Sequence, residues 1–228
     1  MFKSKITKEE VNLLPVVSFD GEIILVDEPE QVWDAVQDLK KSSFLGVDTE
    51  TRPSFTRGVR YKISLLQISN LEKCYLFRLN KIGFPHELAS LLADDNIMKV
   101  GLALRDDFAG LNRLNKFKPQ NHIDIQAVAK EYGILELGLQ KVFAIIFERK
   151  ISKSQQLTNW ESPELTEPQQ RYAATDAWAS LLIYMQLIRE TKLSKKQVEK
   201  LLADANAEQV ARQQAVAQLR AAQQEQEL

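Results

Sequence analysis

Two carboxylates separated by one threonine end the apolar run of FLGVDTETRPSF, residues 44–55. Read with a period of two, Phe44 to Val47 make a buried strand, and Asp48 and Glu50 then leave one face of it about 7 Å apart. Aspartate is depleted in strands, like charges at that spacing oppose each other's ionisation, and an unpaired buried carboxylate is costly. Something positive should sit between them, and hard oxygen donors suit a divalent cation such as magnesium or manganese. The plain alternative is a strand that runs out into solvent at Asp48, and this stretch alone leaves both readings open.

Two further acidic stretches bear on the choice. In KVGLALRDDFAGL, residues 99–111, a strand ends near Leu102 and a helix begins, so an acid in its first turn sits at the positive end of the helix dipole. At about 100° per residue from Leu104, Phe108 falls near 40°, Leu111 near 340° and Leu114 near 280°, with Asp107 near 300° inside that apolar arc and Asp106 near 200° outside it. Asp107 is the inward acid on this reading, although two solvated acids supporting a helix start would explain the pair as well. In RYAATDAWASLLIY, residues 171–184, Tyr172 and Asp176 are one helical turn apart and share a face with Ala179 and Ile183. Tyr172 then places a phenolic hydroxyl where it holds a water beside the carboxylate, unless the pair is a core tyrosine with a capping acid.

The 228 residues, 44% of them hydrophobic, suffice for one domain with an appendage. A net charge of −1 carries no global signature of a polyanion partner, so any nucleic-acid contact must be local. The single cysteine, Cys74, excludes a disulfide framework and paired-cysteine zinc sites, and its setting in CYLF reads as a buried thiol. There is no Walker-type loop. No apolar stretch of roughly 18 residues and no signal-type N-terminus is present, which makes a cytoplasmic location without membrane contact the expectation.

These acids must be positioned by an α/β framework. Residues 15–26 read as two short strands around an Asp-Gly turn, and residues 28–41 as a helix with Val32, Trp33, Val36 and Leu39 on one side. The strand ending at Asp48 follows, then YKISLLQIS and KCYLFRL as strands, then mostly helix interrupted by strands at IMKVGL and HIDI. The pattern predicts a mixed sheet, its first strands antiparallel, flanked by helices. From Ser194 the chain is rich in Ala, Gln and Glu. Ser194 and Gln197 form a capping-box start to a long helix, which packs on the body only at its beginning, self-associates as a coiled coil, or frays.

The ordered set FLGVDTET with SLLQIS, KVGLALRDDFAGL, then NW and YAATDAWA resembles the 3'-5' exonuclease domains of the DEDD superfamily, tyrosine subtype, similar to ribonuclease D and the Werner-type exonucleases. It covers roughly residues 15–190 and divides the chain into an exonuclease domain, 1–190, and a helical extension, 191–228. It implies a ribonuclease-H-like fold and hydrolysis from the 3' end of single-stranded DNA or RNA with two Mg2+ or Mn2+ ions. Asp48, Glu50, Asp107 and Asp176 are the implied ligands, and Tyr172 orients the attacking water. Asp106 is an unusual neighbour for the second acid. The histidine subtype would need a histidine near Asp176, whereas His86 and His122 lie far upstream.

Substrate grip is expected from the loop after Glu50, where Arg52, Arg57, Arg60 and Lys62 can take phosphates and Phe55 can stack a terminal base. A solvated loop is the bland alternative. Lys153 is a further candidate phosphate contact, and Trp160 either stacks a base or, preferably, anchors its turn. A catalytically silent nucleic-acid-binding or scaffold module is the competing function, but it gives no physical reason to retain four uncompensated acids and Tyr172.

Overall fold

The computed structural model describes residues 2–56, 58–59 and 61–226. The chain opens with α1 (Lys8–Leu13), β1 (Val16–Val17), β2 (Glu22–Val26), α2 (Gln31–Leu39) and β3 (Phe44–Thr51). Next come β4 (Ile63–Ser69), β5 (Lys73–Phe77), α3 (Leu79–Ile82), α4 (His86–Leu92), β6 (Met98–Gly101) and α5 (Leu104–Leu111). It closes with β7 (His122–Asp124), α6 (Ile125–Glu131), α7 (Leu139–Phe147), β8 (Lys150–Ile151), α8 (Glu167–Leu187) and α9 (Lys195–Gln226). Six strands lie in the order β2-β5-β4-β3-β6-β7, with β3, β4 and β5 antiparallel and the outer pairings parallel, giving the expected mixed sheet with helices on both faces.

The Asp20-Gly21 turn does not make a hairpin. β1 pairs in parallel with β8, and β2 pairs in parallel with β5, so the first strands are not an antiparallel pair. Gly21 lacks the positive φ that a tight hairpin turn needs and serves a close approach instead, since a Cβ there would stand 2.2 Å from the carbonyl oxygen of Glu72. In α2 the buried stripe is Val32, Ala35, Val36 and Leu39, while Trp33 is 60% exposed. One step of about 100° from Val32 carries Trp33 off that stripe.

Side chains of the antiparallel strands alternate between two cores. Leu45, Val47, Leu66, Ile68 and Phe77 join α2, α4 and α5, whereas Leu65, Cys74 and Leu76 pack under α8 with Ala173, Ala174 and Ala177. Thr166 and Gln169 cap the start of α8 reciprocally, and its 21 residues lie across the sheet. For α9 the Ser194–Gln197 capping box is present, with the Ser194 N–H donating to Gln197 Oε1 at 2.8 Å. Leu201 sits near Gly133 beyond the end of α6, while Leu202 and Val210 are exposed. Among the described residues no helix is long and apolar enough to cross a membrane.

The closest approach of α8 to the sheet is at Gly46, where a Cβ would stand 2.0 Å from the Ala177 carbonyl oxygen. Gly46→Ala must push the helix outward, and overpacking of this kind costs about 1–3 kcal/mol. The expected outcome is a lowered thermal midpoint; a midpoint equal to wild type would show that the contact is slack.

Candidate active site

Gly46 faces α8 and Val47 faces α5, so Asp48 and Glu50 leave β3 toward α8. There Asp176 and Tyr172, one turn apart, are buried on the same helix as Ala179 and Ile183. Oxygens of Asp48, Glu50 and Asp176 all lie within 4.8 Å of one another. The β3–β4 register shifts between Glu50 and Thr51, an irregularity that ends the regular ladder beside the acids.

Asp107 reaches the site from the sheet's other side. Thr49, between the two β3 acids, donates through Oγ1 to Asp107 Oδ1. α5 starts abruptly from β6 because Ala103 adopts a left-handed conformation, φ 60° and ψ 31°, and its N–H donates to Asp124 Oδ1 at 3.2 Å. That turn leaves Asp107 half-buried and Asp106 exposed, as the helical wheel places them. Asp107 stands outside the trio of oxygens, yet among its neighbours it acts most strongly on Asp48.

Burial and mutual repulsion dominate the electrostatics. Burial, then the charges of Asp107, Asp176 and Glu50, holds Asp48 well above the ordinary carboxylate range. Burial followed by Asp176 and Asp107 pushes Glu50 up to about 8. Asp176 rises to about 7 through burial, with the Tyr172 hydroxyl and Lys153 pulling it back, and Asp107 rises to about 6 through burial against the opposing Thr49 bond. The Tyr172 phenol is also raised, by burial first and then by Asp176 and Glu50, so it keeps its proton at neutral pH. Among the described residues no ion pair includes any of the four acids.

Asp48, Glu50 and Asp176, with Tyr172, open into a cavity of about 290 Å³ whose other walls include Gly138, Leu139 and Gln140 at the start of α7, with Ser152, Lys153 and Gln156 after β8. Lys153 is exposed at this cavity. Arg52 lies just past β3, 3.6 Å from Glu161 and with its guanidinium 5.0 Å from the centre of the Tyr61 ring. Phe55 is 84% exposed, and Arg57 and Arg60 lie outside the described residues. His86 and His122 are exposed and line no part of this cavity.

Trp160 is wholly buried, with its ring 5.9 Å from that of Tyr172, so it has no free face for a base and the stacking role is set aside. Its segment is pinned from β5 by the buried guanidinium of Arg78, which donates to the carbonyls of Ser162 and, at 3.2 Å, Pro163. Sequence reasoning missed Thr49, hidden between two acids, and the α7 start, which the glycine of LGLQKV marks. It also missed Gln67, a fully buried amide with neither polar atom bonded, an arrangement that costs about 1–3 kcal/mol.

A protein-family profile described as 3'-5' exonuclease matches residues 23–192. Among curated relatives, the Mus musculus bifunctional 3'-5' exonuclease/ATP-dependent helicase WRN is 29% identical over 188 residues, 76% of this chain and 13% of that protein. A putative 3'-5' exonuclease of Acanthamoeba polyphaga mimivirus is 31% identical over 194 residues, 77% of this chain and 46% of that one. The chain thus spans less than half the length of either relative. Ribonuclease D of Trypanosoma brucei, solved in complex with RNA, superposes with a TM-score of 0.66 at 21% identity, covering 76% of this chain and 64% of that one. The fold is the ribonuclease-H-like exonuclease fold of such neighbours.

Each acid titrates above its value in an unfolded chain, about 4. The folded protein therefore holds extra protons between that value and the raised ones, and stability present at low pH is withdrawn as pH rises through about 6, 7 and 8. Thermal midpoints in chelator should fall from pH 5 to pH 8.5, and Asp176→Asn should flatten the fall. A wild-type profile as flat as the variant's would refute this electrostatic account.

Proposed function

The chain belongs to the 3'-5' exonuclease family, and on that footing we propose that it removes nucleotides from the 3' end of single-stranded DNA or RNA with two divalent cations, magnesium or manganese. The observation that carries the reading is the trio of Asp48, Glu50 and Asp176 oxygens within 4.8 Å, with Asp107 pressing on Asp48 and none of the four in an ion pair among the described residues. An all-oxygen donor set suits hard cations, and four carboxylates balance two divalent charges. When bound, the two ions would supply Lewis acidity to the entering and leaving oxygens of an in-line displacement, and ease proton loss from water.

The protein's own groups then divide the work. Asp48, central in the cluster, would hold one cation together with Glu50 and Asp176, and with Asp107, oriented by Thr49, would hold the other. Tyr172 retains its proton and so orients the attacking water by a hydrogen bond rather than acting as a base, which is the tyrosine-subtype arrangement. Lys153 at the cavity, with Arg52 and Arg57 after β3, takes backbone phosphates, and the exposed Phe55 stacks a terminal base. Attack on the terminal phosphodiester with departure of the ribose 3'-oxygen releases nucleoside 5'-monophosphates. The RNA in the Trypanosoma brucei neighbour and the exonuclease activity named for the curated relatives support a nucleic-acid substrate. In this reading residues 1–190 are the exonuclease unit and 191–228 its helical extension.

A 5'-labelled single strand should shorten stepwise from its 3' end with Mg2+ or Mn2+ and remain intact in excess chelator. Asp107→Ala should abolish the ladder while Asp106→Ala, altering an exposed acid, largely keeps it. Undiminished degradation in chelator would sink the two-cation reading, and equal loss in both variants would sink the assignment of Asp107.

Tyr172→Phe keeps the ring against Trp160 and removes one positioned hydroxyl, so the single-turnover rate should drop by roughly 10- to 1000-fold with metal affinity nearly unchanged. Asp176→Asn should weaken metal binding, read by calorimetry, as well as stop cleavage. A wild-type single-turnover rate in Tyr172→Phe would reduce the tyrosine to a core residue.

A further inference from the structure

Gln67 lies in the middle of β4 with no exposure, and neither Oε1 nor Nε2 has a hydrogen-bond partner. In an antiparallel pair, directly opposed residues put their side chains on the same face with Cβ atoms about 4.5–5.5 Å apart. Gln67 is opposed by Asp48 on one side and Leu76 on the other. Along its own strand the same-face neighbours are Leu65 and Ser69. Leu65 and Leu76 offer no acceptor, and Ser69 Oγ, turned toward the carbonyls of Asn70 and Lys73 at 2.7 and 3.2 Å, makes no bond with the amide. Asp48, directly opposite Gln67 in register, carries the charged acceptor that faces the amide across this layer.

We infer that Gln67 is a positioning residue for the metal centre: its Nε2–H reaches the Asp48 carboxylate through one bridging water and fixes the orientation in which Asp48 meets the cations. Ligating carboxylates need such partners, because an acid free to rotate presents its oxygens to a metal only part of the time. Asp48 is the acid for which this matters most, being placed between Glu50, Asp176 and Asp107. The inference rests on the two-cation reading proposed above and assigns Gln67 no contact with substrate.

Gln67→Met keeps length and burial while removing both polar atoms. Calorimetric titration with Mn2+ should show affinity weakened 10- to 100-fold, the scale for losing a ligand's hydrogen-bond partner. The metal-free variant should stay folded, its thermal midpoint lowered by no more than several degrees, because one hydrogen bond to a buried acid is lost while the packing is kept. Leu76→Met, on the other flank of Gln67 in the same layer, controls for repacking and should bind Mn2+ as wild type does. Wild-type affinity in Gln67→Met overturns the inference, as does an equal loss in Leu76→Met. A metal-free Gln67→Met that does not fold overturns it too, because the amide would then be supporting the fold rather than orienting one carboxylate. A wild-type protein that takes up no Mn2+ instead brings down the two-cation reading itself.

Discussion

The site depends on how closely α8 lies against β3. Gly46 has no side chain, and the helix meets the sheet with Ala173, Ala174 and Ala177, all fully buried. Small residues on both surfaces let the backbones approach, as bulkier ones would not. Asp176 precedes the contact residue Ala177 by one position, and Asp48 follows Gly46 by two, so the same contact that packs the core also sets the distance between the acids. An outward shift of the helix would separate the carboxylates before it exposed much apolar surface.

Carboxylates brought that near resist one another, and the architecture denies them an easy escape. Asp48 and Glu50 stand on a strand paired along most of its length with β4, and Asp176 is near the middle of a 21-residue helix. Loops would let like charges drift apart; regular elements do not. Support reaches the phenol by a parallel route, from the buried Arg78 to the carbonyls of Ser162 and Pro163, through the Trp160 segment to the Tyr172 ring. The arrangement stores electrostatic tension in a rigid frame, a condition under which a counter-charge is gained without reorganisation of the ligands.

What could be read in advance followed local periodicity. Alternation put Asp48 and Glu50 on one face, and the 100° step separated Asp107 from Asp106, because each depends on a few adjacent residues. Partner choice between strands was not legible: β2 joins β5 across about 50 intervening residues, and no local signal at Asp20-Gly21 distinguishes that from a hairpin. Trp33 was read into the buried stripe and stands exposed, while Trp160 left stacking open beside the preferred anchoring until its burial removed the former, because a large aromatic satisfies either an apolar stripe or a binding face. Gln67 and Thr49 draw their meaning from a neighbour on another element, information that spacing along the chain does not carry.

The order of the pieces along the chain has a consequence for biosynthesis. The strand bearing Asp48 and Glu50 is made early, Asp107 comes some sixty residues later, and α8 closes the set only when it is complete at Leu187. A nascent polypeptide lacking that helix possesses three of its four acids and no clustered trio. The clustered trio, on this architecture, is withheld from every shorter intermediate on the ribosome and arises in a single step when α8 docks.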